Sequence, residues 1–553
     1  MIEGSEVQAS LLFYISGMKA GLGFSGFIRR KLMLCSSNCG SVINYYPHIF
    51  IFEFNSGNLF SLIVVNRPRF PRAMLITVFI VYLVVLVGIV LYASRQSKTN
   101  ADFVLGGRKI PGLFLALSER ATGESAWLLL GLTGHAYAEG WSSVWIAIGC
   151  VTGILFLWIF MAEPLRKVTE KTGALTASGL FFKSFPGSEK KIGILSSVII
   201  IIFFVLYLAA QFSGAGKIFN DTFHIDPFWG MVIGAGVVTM YSMLGGFITV
   251  VAVDAFQAIL MIITCVALPI IAIFIAAANG IGFAEALMHS DAAITGTSVT
   301  LAKGAGFLLV LNGLSWAFGY TGQPQLLNRM MAMRNPDETK RARVVAISWT
   351  LLAYAGAFLI GIIGFRMMQA GMMGEGAAAI AADSEKVMPV MVITLLNPIL
   401  AGILLSGAVS AMMSTASSQL IVVSSSITED LWSNISKRVI TEKRMLFLNK
   451  FLTLMVGVVA FALVLTMEDT VYGLVSYAWS GIGASFGPAV VLLLFWKKFS
   501  RAGVYASLIT GTLSAIIWKT WLADPTGISE RLASYLLAFS AAVLFSLLKP
   551  EKK

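Results

Sequence analysis

Leu115-Ala116-Leu117-Ser118-Glu119-Arg120-Ala121-Thr122-Gly123-Glu124-Ser125-Ala126-Trp127 places three charged side chains and three hydroxyls inside a run, 112–138, that is otherwise apolar. Ionisable groups at the centre of a bilayer cost at least about 2.5–3.5 kcal/mol each on insertion scales, so they face a cavity or one another. One reading is that Arg120 and Glu124, at i and i+4, form a pair that only neutralises itself. The other is that Gly123 marks an unwound stretch whose freed carbonyls and hydroxyls coordinate a ligand or ion.

The chain around this stretch belongs in a bilayer. Its 553 residues are 57% hydrophobic and 12% charged, with a mean hydropathy of +0.82, which excludes a soluble enzyme of this size. Windows long enough to cross a hydrocarbon core of about 30 Å number about thirteen. They fall at 74–94, 112–138, 141–162, 190–216, 228–245, 250–278, 304–326, 341–368, 389–427, 445–467, 469–496, 501–522 and 530–548. The runs are too long and too evenly apolar for barrel strands, so the expected fold is an all-α membrane bundle.

Basic residues fall on alternate loops. They are Arg95, Lys98, Arg108 and Lys109, then Arg166, Lys167, Lys171, Lys183, Lys190 and Lys191, then Arg329, Arg334, Lys340, Arg341 and Arg343. Lys437, Arg438, Lys443 and Arg444 follow, then Lys497, Lys498 and Arg501, and the tail Lys549, Lys552 and Lys553. The intervening loops are poor in them: 279–303 has Glu285, Asp291 and Lys303, and 466–470 has Glu468 and Asp469. Basic loops stay inside, so the tail 550–553 is expected in the cytoplasm and the Met74 end outside. The net charge of +12 is thereby read as topology rather than as a nucleic-acid surface.

A second interruption, Asn312-Gly313-Leu314-Ser315-Trp316-Ala317-Phe318-Gly319-Tyr320-Thr321-Gly322-Gln323-Pro324-Gln325, combines three glycines and a proline with aromatic rings. It lies five spans after the first. An odd offset reverses direction in the membrane, as an inverted five-plus-five repeat requires, with its site between the discontinuous helices at the midplane. The repeats would cover about 112–278 and 304–496 of a single transporter domain at 74–549. In the ninth span, Ser406, Ser410, Ser414, Thr415, Ser417 and Ser418 are either a close-packing seam or hard oxygen ligands for a small cation.

The remaining features are weaker. Cys150 and Cys265 lie in apolar spans, while Cys35 and Cys39 lack the partners of a zinc site. No phosphate-binding G-x-x-x-x-G-K-[ST] occurs, and no haem, metal or nucleophile constellation stands out. Residues 1–73 differ from the rest and are read as a disordered or artefactual extension, with the functional chain beginning near Met74.

Several stretches resemble the sodium:solute symporters, and within them the bacterial sodium/proline carriers. They are Phe103-Val-Leu-Gly-Gly-Arg108, Trp127-Leu-Leu-Leu-Gly131-Leu, Trp145-Ile-Ala-Ile-Gly149, Gly245-Gly246-Phe247 with Asp254 and Gln257, Trp316-Ala-Phe-Gly-Tyr320-Thr-Gly-Gln323-Pro324, and Met413-Ser414-Thr415 before Ile427-Thr428-Glu429-Asp430-Leu431. The resemblance runs from about Met74 to Lys549. It implies a thirteen-helix bundle with a leucine-transporter-like core that takes up an amino acid such as proline with Na⁺ by alternating access in a bacterial plasma membrane. Na⁺ is the coupling ion, no other cofactor is implied, and the solute, Na⁺ and the bilayer are the partners, with no nucleic acid and no obligatory protein.

Carried over, sodium would be bound by the backbone oxygens of Ala121, Glu124 and Ala411 and the hydroxyls of Ser414 and Thr415. The solute would meet Ser125, Trp127, Tyr207, Trp316, Tyr320 and Gln323. The chain departs from the pattern where proline carriers have an acidic residue and it has Gly123, where they have methionine and it has Glu124, and where Arg120 replaces a small residue. Three outcomes stay open: Glu124 restores the charge from a neighbouring angle, Arg120 binds the solute carboxylate, or Arg120 stands in for a cation and reduces sodium dependence. The Arg120–Glu124 pair is the favoured coupling element. Alternatives are an H⁺-coupled or sodium-independent carrier of another organic solute and, in a different class, a transporter-like sensor. An enzyme is not expected.

Overall fold

The computed structural model describes residues 72–288, 306–432, 441–467 and 470–551. The expected extension, apart from its last two residues, lies outside them, as do Asp291, Lys303, Lys437, Arg438, Glu468, Asp469, Lys552 and Lys553. Among the described residues every regular element is a helix, with one isolated bridge between Ile110 and Met333.

The first span is α1, Arg72–Ser94, followed by the short α2, Asn100–Leu105. Span two is α3, Gly112–Ala126, and α4, Thr133–Glu139, joined by a π-turn; span three is α5, Val144–Phe156, running through a second π-turn into α6, Ala162–Thr172. After α7, Ala177–Ser184, come α8, Glu189–Phe223, and α9, Pro227–Ala278. At 52 residues α9 is more than twice the length a single crossing needs. It divides at Gly246, whose φ of 61° is open to glycine and whose Cβ would strike the Phe103 ring. Span seven is in three pieces, α10, Phe307–Leu314, α11, Trp316–Tyr320, and α12, Pro324–Met331. The rest are α13, Glu338–Gln369, α14, Val387–Leu395, α15, Pro398–Ser425, α16, Glu442–Val464, α17, Val471–Phe495, α18, Arg501–Ile517, and α19, Glu530–Leu548.

Nine helices among the described residues are long and apolar enough to cross a bilayer. Two of these, Gly112–Thr172 and Pro227–Ala278, each contain two crossings, and α10–α12 and α18 add the remainder, which accounts for the thirteen runs. Loops collect at two ends. At one, Arg108 donates to the carbonyls of Thr169 (2.8 Å) and Ala174 (2.7 Å), Arg166 to that of Met333, and the Gly112 amide to Glu338. At the other, the Trp141 indole donates to the Leu287 carbonyl at 3.0 Å, and Arg366 pairs with Glu285. Helix α15 is central, with 83% of its apolar window buried against 22% for α1, which faces lipid.

Two expectations are corrected. The ninth span does not run unbroken over 389–427. Leu396 is extended, the Asn397 side chain accepts from the Leu400 amide at 3.0 Å, and Pro398 opens a new helix at a position where its missing N–H is not needed. Arg329, counted among the loop cations, lies on α12 and is 1% exposed.

Candidate solute and cation site

The unwinding in span two falls at Ser125, not at Gly123. Ser125 has φ 52° and ψ −172°, a conformation nearly confined to glycine that costs about 1–3 kcal/mol. Surrounding bonds hold it: the Ser125 hydroxyl accepts from the Tyr207 hydroxyl (3.3 Å) and the Trp127 amide (3.1 Å), while Gln211 Oε1 accepts from the Ala126 amide at 3.0 Å. Gly123 stays helical. In span seven the break falls at 321–323, where Gln323 (φ −79°, ψ 110°) leaves the helix just before Pro324. Gly319 is required by close approach, since a Cβ there would overlap the Trp479 indole nitrogen.

Helix α15 crosses the first break with hydroxyls pointing at it. Ser414 Oγ donates to the Ala121 carbonyl at 2.9 Å and lies 3.1 Å from that of Ala411. Thr415 Oγ1 lies 2.8 Å from the Thr122 carbonyl and 3.2 Å from that of Ala411. Ala121, Ala411, Ser414 and Thr415 are therefore brought together, with Thr122 as an oxygen the sequence did not single out. Such a set of carbonyls and hydroxyls suits a small hard cation. Glu124 enters differently: its carbonyl accepts from the Trp127 amide, and its carboxylate turns towards Arg120 and Tyr354.

Beside this lies a small, tightly packed cavity walled by Gly123, Trp127, Tyr207, Trp316 and Tyr320, with Val475 and Trp479 from α17. The rings interlock: Trp127 and Trp316 have centroids 4.5 Å apart, and Tyr320 meets Trp479 edge-on at 4.7 Å. Four of the six expected solute residues line it. Ser125 touches it through Tyr207, and Gln323 is spent on the Trp479 carbonyl at 3.1 Å. Val475 and Trp479 were missed; the small residues flanking them, Ser476, Ser480, Gly481 and Gly483, were the available signal of close packing.

Two buried charge clusters flank the break. Arg120 bonds both carboxylate oxygens of Glu119, Glu124 Oε1 at 2.7 Å and Thr350 Oγ1 at 3.1 Å, all three charged side chains being fully buried. The Trp158 indole adds a bond to Glu119 at 2.9 Å. Arg120 thus meets Glu124 as the i, i+4 spacing suggested, and Glu119 joins them. In the second cluster Asp254 Oδ2 accepts from Ser118 (2.7 Å), Thr122 (3.1 Å) and Arg329 (3.1 Å), and Arg329 also reaches Ser418 and covers the Phe247 ring.

The family model described as "Sodium:solute symporter family" matches residues 103–511. The high-affinity proline transporter PutP of Bacillus subtilis is 35% identical over 455 residues, covering 82% of this chain and 93% of that protein. The osmoregulated proline transporter OpuE of the same organism is 32% identical over 476 residues (85% and 94%), and a sodium/proline symporter of Staphylococcus aureus is 34% identical over 460 residues (82% and 88%). The substrate-bound, outward-open structure of a Na⁺-coupled sialic acid symporter superposes with a TM-score of 0.68 at 18% identity, covering 87% of this chain and 99% of that one, which shows a shared fold.

Proposed function

The chain belongs to the sodium:solute symporter family, and from that premise we propose that it carries proline across a bacterial plasma membrane, coupled to Na⁺. It is a multi-pass membrane transporter with a leucine-transporter-like core and is not an enzyme. Sodium is its coupling ion. The basic end of the bundle is assigned to the cytoplasm, a reading that the distribution of Lys and Arg supports.

Na⁺ sits between α3 and α15, on the carbonyls of Ala121, Glu124 and Ala411 and the hydroxyls of Ser414 and Thr415. The reading is carried by one observation, the direct bonds from Ser414 and Thr415 to the carbonyls of Ala121 and Thr122 beside the unwound Ser125. Oxygens of two helices that already meet here can share a cation, and sharing it fixes the helices' relative position. The solute lies against Trp127, Tyr207, Trp316 and Tyr320, whose faces suit a compact apolar ring. Ser125 links the pocket to the ion through Tyr207, and Gln323 holds the second break in place through the Trp479 carbonyl.

One Na⁺ per solute, driven by a 100 mV potential, supplies about 2.3 kcal/mol, and a tenfold sodium gradient adds about 1.4. That supports accumulation of a neutral solute by roughly a few hundredfold. The test is uptake of labelled proline into proteoliposomes as external Na⁺ is varied. Ser414→Ala removes one ligand, and the Na⁺ concentration for half-maximal uptake should rise about 10- to 100-fold, the equivalent of a lost bond to a charge. Parental sodium activation in that variant would remove Ser414 from the ion site.

A further inference from the structure

The arginines buried beside the first break are spent. Arg120 is bracketed by the carboxylates of Glu119 and Glu124, and Arg329 is paired with Asp254 and bonded to Ser118 and Ser418. A third, Arg531, stands in the first turn of α19 with its side chain 11% exposed. Its guanidinium lies over the Trp316 ring, 4.6 Å from the centroid, and Trp316 is a wall of the cavity. Arg531 Nη1 donates to Ser476 Oγ and, at 3.2 Å, to Glu530 Oε1, whereas Nε is buried and has no hydrogen-bond partner among the described residues.

This placement runs against the electrostatics of the helix. The amide end of a helix favours anions and disfavours cations, so Glu530 suits the first turn of α19 and Arg531 does not. Arg531 is held there by Ser476 on α17 and by the face of Trp316, whose ring quadrupole attracts a cation. Trp316 in turn packs on Trp127, another wall of the cavity, with centroids 4.5 Å apart. Tyr472 and His135 also face Arg531 and stack on each other at 5.0 Å. Neither is an anion at neutral pH. Glu530 answers part of the positive charge, but it also accepts from Ser476 at 3.1 Å and from its own amide at the helix start. A residual positive field therefore stands behind the Trp316 wall.

We propose that Arg531 is a positioning and charge-selecting residue for the solute: it fixes the Trp316 indole as a cavity wall and, from behind it, biases the cavity towards solutes that carry a carboxylate and against cationic ones. Walls of low dielectric focus such a field instead of dissipating it as water would. The walls themselves ask for an acceptor. An indole N–H only donates, and that of Trp127 is buried without a hydrogen-bond partner. A carboxylate supplies acceptor oxygens and the matching charge together. It need not touch Arg531, which acts through Trp316. The last helix thereby takes a share in choosing the cargo.

The inference rests on the proline-symport reading, and the experiment keeps the two apart. The full chain in proteoliposomes with an inward Na⁺ gradient takes up labelled proline against unlabelled proline or prolinamide, in which a neutral amide replaces the carboxylate. Arg531→Gln should raise the KM for proline about tenfold, the loss of a cation held at an aromatic wall, with the maximal rate and the Na⁺ concentration for half-maximal uptake within about twofold of the parent. Prolinamide should compete no worse than before. Glu530→Gln, which removes the neighbouring anion, should shift the preference the other way, about threefold in favour of proline. A parental KM in Arg531→Gln, or equal losses for both compounds, overturns the proposal. So does a preference that fails to rise in Glu530→Gln, which decides the matter even where Arg531→Gln does not fold. A parent that takes up no proline sinks the symport reading alone. The inference is then judged by thermal unfolding of the parent in detergent with acid and amide forms of proline, alanine and glycine: stabilisation by the acids above the amides supports it, and equal stabilisation or none overturns it.

Discussion

The two buried charge clusters are built on opposite plans. Glu119, Arg120 and Glu124 belong to one stretch of α3 and, among the described residues, their side chains bond outside it to Thr350 and Tyr354 on α13 and to Trp158. Asp254 and Arg329 instead tie together α9, α12, α3 through Ser118 and Thr122, and α15 through Ser418. The first cluster can travel with its helix intact. The second cannot survive separation of the segments it joins. Similar chemistry therefore serves a rigid unit in one place and a removable tie in the other.

The tie is where substitution should do the most damage. Arg329→Ala leaves Asp254 buried with no cation, and about 3–5 kcal/mol of stability should be lost, since removing one partner strands the other. Thermal unfolding in detergent measures this. A variant as stable as the parent would show that the four-segment tie carries no weight, and the contrast between the clusters would collapse. At the rigid cluster the effects should be smaller. Thr350→Val removes a single acceptor of Arg120 and should cost about 1 kcal/mol on the same assay. Replacing the whole triad with neutral side chains of similar size, Glu119→Gln, Arg120→Met and Glu124→Gln together, should leave stability within about 1 kcal/mol of the parent, because the cost of burying the charges disappears together with their mutual attraction and each Gln keeps an acceptor for Trp158 or Tyr354. A large loss would mean that the triad also binds its surroundings, which would make the two clusters alike.

The sequence carried the bundle well because apolar length is a local property: each crossing is written in its own twenty or so residues. It carried the breaks approximately. Gly and Pro mark where a helix is weak, but the strained residue is Ser125, held by Tyr207 and Gln211, both more than 80 positions away. Pairing along one helix was legible where spacing permits it, as for Arg120 with Glu124. Glu119 was legible only as an alternative to Glu124 for neutralising Arg120, not as a simultaneous partner, because adjacent helical residues ordinarily do not face each other. Arg329 looked like one more loop cation until its partner, 75 residues earlier, came into view. Val475, Trp479 and Tyr354 reach the site by packing between distant spans, which no local pattern records.

Gly319 and Gly322 on span seven face Gly483 and Gly487 on α17, and a Cβ at any of the four would run into backbone or a ring of the neighbouring segment. Along that seam the chain has no latitude for drift, whereas the acyl-facing flank of α1 can exchange one aliphatic side chain for another at little cost. A change of cargo therefore has room only at the cavity walls, because the glycine seam that brings those walls together accepts no added side chain without displacing its neighbours.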